Sequence, residues 1–121
     1  MSVDATTSAS PEISVARGNF YLSREICDFY LPGVMSVALL ARNEEVWIVP
    51  LTQQSAGGLL LKQRNARGDR VIHAQEFFRN QGLLEAFESR MMPVHWSPES
   101  AALVVSGCRS CTVPLNEEVM P

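Results

Sequence analysis

Hydrophobic and polar positions alternate along much of this chain, and the places where the alternation changes period mark its elements. Ile13 and Val15 stand among small or polar neighbours, and Phe20 and Leu22 continue the apolar series on the opposite parity, with Gly18 between. A parity switch at a glycine predicts one strand with a bulge or sharp bend. Ser23 is placed to cap a short helix in which Ile26, Phe29 and Tyr30 follow Leu22 at helical spacing, and Pro32-Gly33 stops it. From Val34 to Ala41 nearly every position is apolar, the pattern of a strand buried on both faces. The polar turn Arg42-Asn43-Glu44-Glu45 and the run Val46 to Leu51 then complete a central β-hairpin.

Thr52 to Gly58 reads as a flexible loop, and Leu59, Leu60 and Leu61 as a strand that turns polar at Lys62, Gln63 and Arg64. Asn65 to Asp69 carries turn chemistry, and Arg70 to His73 returns as a short strand. Ala74, Phe77 and Phe78 predict the inward face of a second helix ended by Gly82, with Leu83, Leu84 and Phe87 placed to extend it by a turn. Met92, Val94 and Trp96 alternate toward Ser97-Pro98-Glu99-Ser100, and Ala101, Leu103 and Val105 alternate back as a last hairpin. Short connections between strands imply an α+β domain. Its small, mainly antiparallel or mixed β-sheet is able to curl into a barrel, with two or three short helices against it. The single domain is expected over residues 12–105, with a disordered leader over 1–11 and a weakly ordered tail over 106–121.

A chain of 121 residues with 46% hydrophobic content is the size of one domain with one core. Its net charge of −3 and pI near 5.3 supply no global attraction to nucleic acid or an anionic membrane, so such binding needs a local patch. The first residues form neither a basic run nor an apolar one, and no later stretch approaches the roughly 18 apolar residues that a membrane span requires. Three cysteines in a chain that folds without staples suggest a reducing compartment, and the cytoplasm is the expected location.

One local patch exists. The segment Leu61 to Arg70 holds Lys62, Arg64, Arg67 and Arg70, four of the ten basic residues, against one acid. Gathered in an acidic protein, they suit a landing site for a phosphate, a nucleic-acid backbone or an acidic partner, with Arg79 a further candidate contact. The competing reading is a solvated hairpin whose charges keep a sheet edge from pairing with another chain. Arg67-Gly68-Asp69 repeats the tripeptide of extracellular adhesion ligands, but beside this turn it reads as turn chemistry.

Other constellations are incomplete. Cys108 and Cys111 have the CxxC spacing of metal and redox sites, yet Cys27, His73 and His95 supply no recognisable remaining ligand spacing, and no helical pattern follows the pair. Neither histidine sits in a motif with a nucleophile. Cys27 reads as a small buried hydrophobe or, with a histidine nearby, as a nucleophile. Glu44-Glu45 and Glu117-Glu118 suit solvated turn and tail positions, and Gly57-Gly58 lacks the rest of a phosphate loop. No cofactor or metal is expected from these motifs.

Residues 15–51 resemble a known arrangement. Gly18-Asn19-Phe20-Tyr21-Leu22-Ser23-Arg24-Glu25-Ile26-Cys27, then Pro32-Gly33, a strand, the Asn43 turn and a strand ending Ile48-Val49-Pro50-Leu51, resemble in spacing the swapped-hairpin domain of the AbrB and MraZ transcription regulators. The resemblance implies a dimerising, β-rich barrel. Where that family carries a basic residue after the glycine, a proline before the helix and an arginine within it, this chain has Asn19, Ser23 and Cys27, which withholds the DNA contacts.

Three function classes follow as expectations. The first is a non-enzymatic accessory or binding module engaging an acidic protein or other anionic partner through Lys62, Arg64, Arg67, Arg70 and Arg79. The second is a DNA-binding regulator of swapped-hairpin type, recognisable by steep salt dependence. The third is a thiol-dependent enzyme or redox protein using Cys27 or the Cys108/Cys111 pair.

Overall fold

The computed structural model describes residues 11–52, 58–83 and 88–108. The expected loop over 52–58 apart from its ends, the helical extension through Leu84 and Phe87, and Cys111 lie outside the described residues, as does most of the leader and tail. Among the described residues, nine strands and two helices follow in the order β1 (Glu12–Ala16), β2 (Asn19–Leu22), α1 (Arg24–Tyr30), β3 (Ser36–Arg42), β4 (Glu45–Leu51), β5 (Leu59–Leu60), β6 (Lys62–Gln63), β7 (Arg70–His73), α2 (Gln75–Gln81), β8 (Arg90–Ser97) and β9 (Ala102–Ser106). The strands form one sheet in the order β5-β3-β4-β9-β8-β1-β2-β7-β6, and every ladder in it is antiparallel.

The two edges of that sheet are the two-residue strands β5 and β6, separated in sequence by Leu61 alone. The sheet therefore curls into a nearly closed barrel whose seam is one bent segment. Leu61 sits inside it, its N–H donating to the Met35 carbonyl at 2.9 Å and its own carbonyl accepting from Arg70 Nη1 at 3.1 Å. A small antiparallel sheet that closes on itself needs few covered edges, and the interior is filled by inward side chains. Ile13, Phe20, Leu22, Val37, Val46, Ile48, Ile72, Leu103 and Val105 make up that filling.

The helices close opposite ends. In the β2–β7 ladder Leu22 faces Arg70 and Asn19 faces His73, so α1, which follows Leu22, leaves from one end and α2, which follows His73, from the other. Ser23 caps α1 as its position predicts, Oγ accepting the Ile26 N–H at 3.2 Å. Gly82 ends α2 in the left-handed conformation, and Phe78 packs on Phe20 with ring centroids 5.4 Å apart.

Four expectations are corrected. The bent strand at Gly18 is a hairpin: Arg17 and Gly18 both have positive φ (54° and 77°), the requirement of a two-residue type I′ turn, and Ala16 pairs with Asn19. A turn of two residues reverses the chain and changes the parity of the apolar positions, just as a bulge does, so the pattern alone does not separate the two. Phe29 is 76% exposed rather than inward, and Cys27 occupies the buried stripe of α1 in its place. The β3 segment is not buried on both faces: Val37 is fully buried while Leu40, on the outer face, is 46% exposed, and it is β9 whose Ala102, Leu103, Val104 and Val105 are buried on both. The ordered chain also runs past residue 105, since Ser106 completes β9 and Cys108 is part of the core.

Candidate functional site

Lys62 and Arg64 are carried by the seam segment and its turn. Lys62 pairs with Val71, which pairs with Tyr21, so this row has the outward parity, opposite to that of Phe20, Leu22 and Ile72, with Val71 itself covered at 5% exposure. Both basic residues are exposed, and the Arg64 guanidinium lies 4.8 Å from the centroid of the Tyr21 ring. A cation over a partly exposed ring gains about 0.5–1 kcal/mol.

The turn that positions Arg64 is tied down by Asp69. Its Oδ1 accepts the backbone N–H of Arg24, the first residue of α1, at 2.9 Å, and its Oδ2 accepts from Asn65 Nδ2 at 2.9 Å and Arg67 Nη2 at 3.0 Å. Asn65 Oδ1 in turn accepts the backbone N–H groups of Arg67 and Asp69. Arg64 and Asp69 close the turn through a 2.7 Å backbone hydrogen bond. Gly68 takes φ 103°, and a Cβ there would come within 3.1 Å of the Arg24 side chain. The donors from Asn65, then the Arg24 backbone, then Arg67 pull the Asp69 carboxyl from 3.8 down to about 2.

The five basic residues anticipated from sequence are not brought to one place. Lys62 and Arg64 share the outer face. Arg67 is exposed but ion-paired with Asp69 at 3.0 Å. Arg70 has the inward parity of Leu22 and Ile72, is half-buried, and spends one nitrogen on the Leu61 carbonyl. Arg79 is an exposed residue in the last turn of α2, which closes the other end of the barrel.

Other residues join Arg64 instead. Tyr21, Ser14 and Arg64 border two adjoining depressions of the outer face, one of about 280 Å³ that reaches Arg17 and Ser89, and one of about 180 Å³ that reaches Glu12, Asp69 and Met91. Ser14 and Ser89 hydroxyls are hydrogen-bonded at 2.9 Å. Behind Tyr21, the buried Asn19 donates Nδ2 to the phenol oxygen at 3.2 Å. Tyr21 was legible in part, since it stands between the inward Phe20 and Leu22, and strict alternation sends it outward. Ser14 and Ser89 carry no sequence signal, being 75 residues apart.

Cys27 and Cys108 are free and buried, and burial pushes both thiols up to about 11 against the opposing charges of Arg70 and Arg90. Such thiols stay protonated at neutral pH, the reverse of an activated nucleophile. Among the described residues no group of three or more His, Cys, Asp or Glu side chains is placed to hold a metal ion, and no helix is long and apolar enough to cross a membrane. No family model, curated protein or solved structure matches the chain.

Proposed function

We propose that this chain is a non-enzymatic binding module that recognises an acidic protein segment with the outer-face groove of Tyr21 and Arg64, flanked by Lys62. The supporting observation is the held geometry of Arg64, which projects from a turn locked to α1 by Asp69 and rests on the Tyr21 ring. A guanidinium already ordered in the free protein loses less entropy on meeting a carboxylate, and its fork of donors matches carboxylate geometry.

The test uses a hexaglutamate peptide and the Lys62→Ser/Arg64→Ser protein, with binding followed by calorimetry and fold by thermal unfolding. At least tenfold weaker binding with the unfolding midpoint held within a few degrees is the expected result. Equal affinity in the two proteins would overturn the reading. A cation beside a half-exposed ring also suits base stacking, so single-stranded DNA is the comparison ligand. Tighter, steeply salt-dependent binding of that DNA would transfer the site to nucleic acid.

A further inference from the structure

The depression bordered by Ser14, Arg17, Tyr21, Arg64 and Ser89 carries charge of one sign. Resting on the reading above, we infer that this depression is a phosphate-monoester site, and that the acidic segment taken by the groove is one bearing a phosphorylated side chain.

Two separate turns assemble the site. Arg17 is the first residue of the type I′ turn between β1 and β2, with φ 54°. The start of α2 fastens that turn, since Gln75 Nε2 donates to the Arg17 carbonyl at 3.2 Å and the Ala74 N–H to the Gly18 carbonyl at 3.1 Å. Arg64 comes from the other side of Tyr21, out of the turn that Asp69 fastens to α1, and lies over the Tyr21 ring. Both arginines thus border one depression of about 280 Å³ whose rim, among the described residues, carries no carboxylate. Ser14 and Ser89, on the same rim, share one proton in their 2.9 Å hydrogen bond, which leaves the second hydroxyl proton to donate.

Charge and donor count select phosphate over carboxylate. Like charges facing one cavity repel, and an anion set between them offsets that repulsion. A phosphate monoester brings about −1.5 to −2 charges and three acceptor oxygens near pH 7, where a carboxylate has one charge and two oxygens. Two guanidinium groups and one hydroxyl match three oxygens one for one, and the arginine fork suits phosphate as it does carboxylate. The acids of the outer face favour a compact dianion too. Glu12 and Asp69 border the adjoining depression and not this one. Asp69 is engaged by Arg24, Asn65 and Arg67, and Glu12 stands two residues from Ser14, about 7 Å along β1. A single phosphate concentrates its charge at the arginine end, whereas a run of carboxylates extends toward Glu12.

The experiment measures, by calorimetry, the binding of Gly-Ala-X-Ala-Gly peptides, with X phosphoserine or glutamate, and of inorganic phosphate, to the parent chain and to Arg17→Asn. Asn-Gly is the preferred pair of a type I′ turn, so this variant removes the charge and keeps the hairpin. The inference expects the phosphoserine peptide to bind at least tenfold more tightly than the glutamate peptide and to lose that advantage in Arg17→Asn. Its binding should also weaken as pH falls below about 6, where the monoester gains a proton. A phosphoserine peptide that does not bind, or binds no more tightly than the glutamate peptide, overturns the inference, as does a preference that survives Arg17→Asn. Inorganic phosphate binding as tightly as the phosphoserine peptide overturns it as well, because the site would then serve the free ion. The proposed function is decided separately by Arg64-dependent binding of hexaglutamate, which can hold where phosphate selection fails.

Discussion

The closure of the barrel at Leu61 is the feature most open to a quantitative test. Leu61 is 4% exposed, whereas Leu60 beside it is 62% exposed. Leu61→Ala leaves both backbone hydrogen bonds of residue 61 in place, to Met35 and from Arg70, so it isolates the side chain. Removing a buried leucine side chain costs about 2–5 kcal/mol, the spread depending on how far the surroundings collapse. At the seam, β5 and β6 are two residues each and can adjust, which favours the lower half of that range, about 2–3 kcal/mol. For a domain of this size that lowers the unfolding midpoint by about 8–15 °C. Leu60→Ala, at the neighbouring surface position at the end of β5, should stay within about 0.5 kcal/mol of the parent. Urea unfolding followed by the fluorescence of Trp47 and Trp96 measures both, with the slope against urea expected to stay constant. If Leu61→Ala costs less than about 1 kcal/mol, or no more than Leu60→Ala, the segment is not the packed closure of a barrel.

Three further outcomes follow from particular residues. Asp69 has its folded pKa depressed to about 2, so its contribution to stability is present above about pH 4 and is lost as pH falls from 4 toward 2. Asp69→Asn should therefore be less stable at pH 7 and lose less than the parent over that window; parallel pH profiles of the unfolding midpoint would refute the Asp69 clip. Glu44 holds φ 69° at the second position of the β3–β4 turn, where glycine avoids a left-handed penalty of about 1–2 kcal/mol but loses about 0.5–1 kcal/mol through its unfolded-state freedom. Glu44→Gly should raise the midpoint by about 2–4 °C, and a fall would contradict the turn geometry. Cys27 and Cys108, with thiols raised to about 11, should resist iodoacetamide at pH 7 in the native protein and react on addition of urea, as intact mass with peptide mapping will show. Because their folded pKa values are raised, the same thiols keep their contribution below about pH 9 and lose it between 9 and 11; full labelling of either under native neutral conditions would refute its burial.

Local patterns in the sequence determined a good deal. Alternation in Phe20-Tyr21-Leu22 and in Met92, Val94 and Trp96, the Ser23 cap, the Asn43 turn and the Gly82 stop are readable because period and turn chemistry are properties of neighbouring residues. The small antiparallel α+β character followed from the short connections between such elements. What the tertiary structure decided is which neighbours in space each residue has. Closure through Leu61 depends on β5 reaching back to β3 while β6 turns onto β7, and the first of these pairings joins segments that no local period links. Which outer-face positions are covered is likewise decided in space: Leu40 ends exposed despite its apolar run, while Val104, in the same outward row, is buried. Closure also sorts the basic cluster, since a residue's parity in a closed barrel sends Arg64 out onto Tyr21 and turns Arg70 in toward Leu61. Four positive charges close in sequence thus become one poised cation, one ion pair, one exposed lysine and one structural arginine, because charge spacing along a chain carries no information about which side of a wall each side chain occupies.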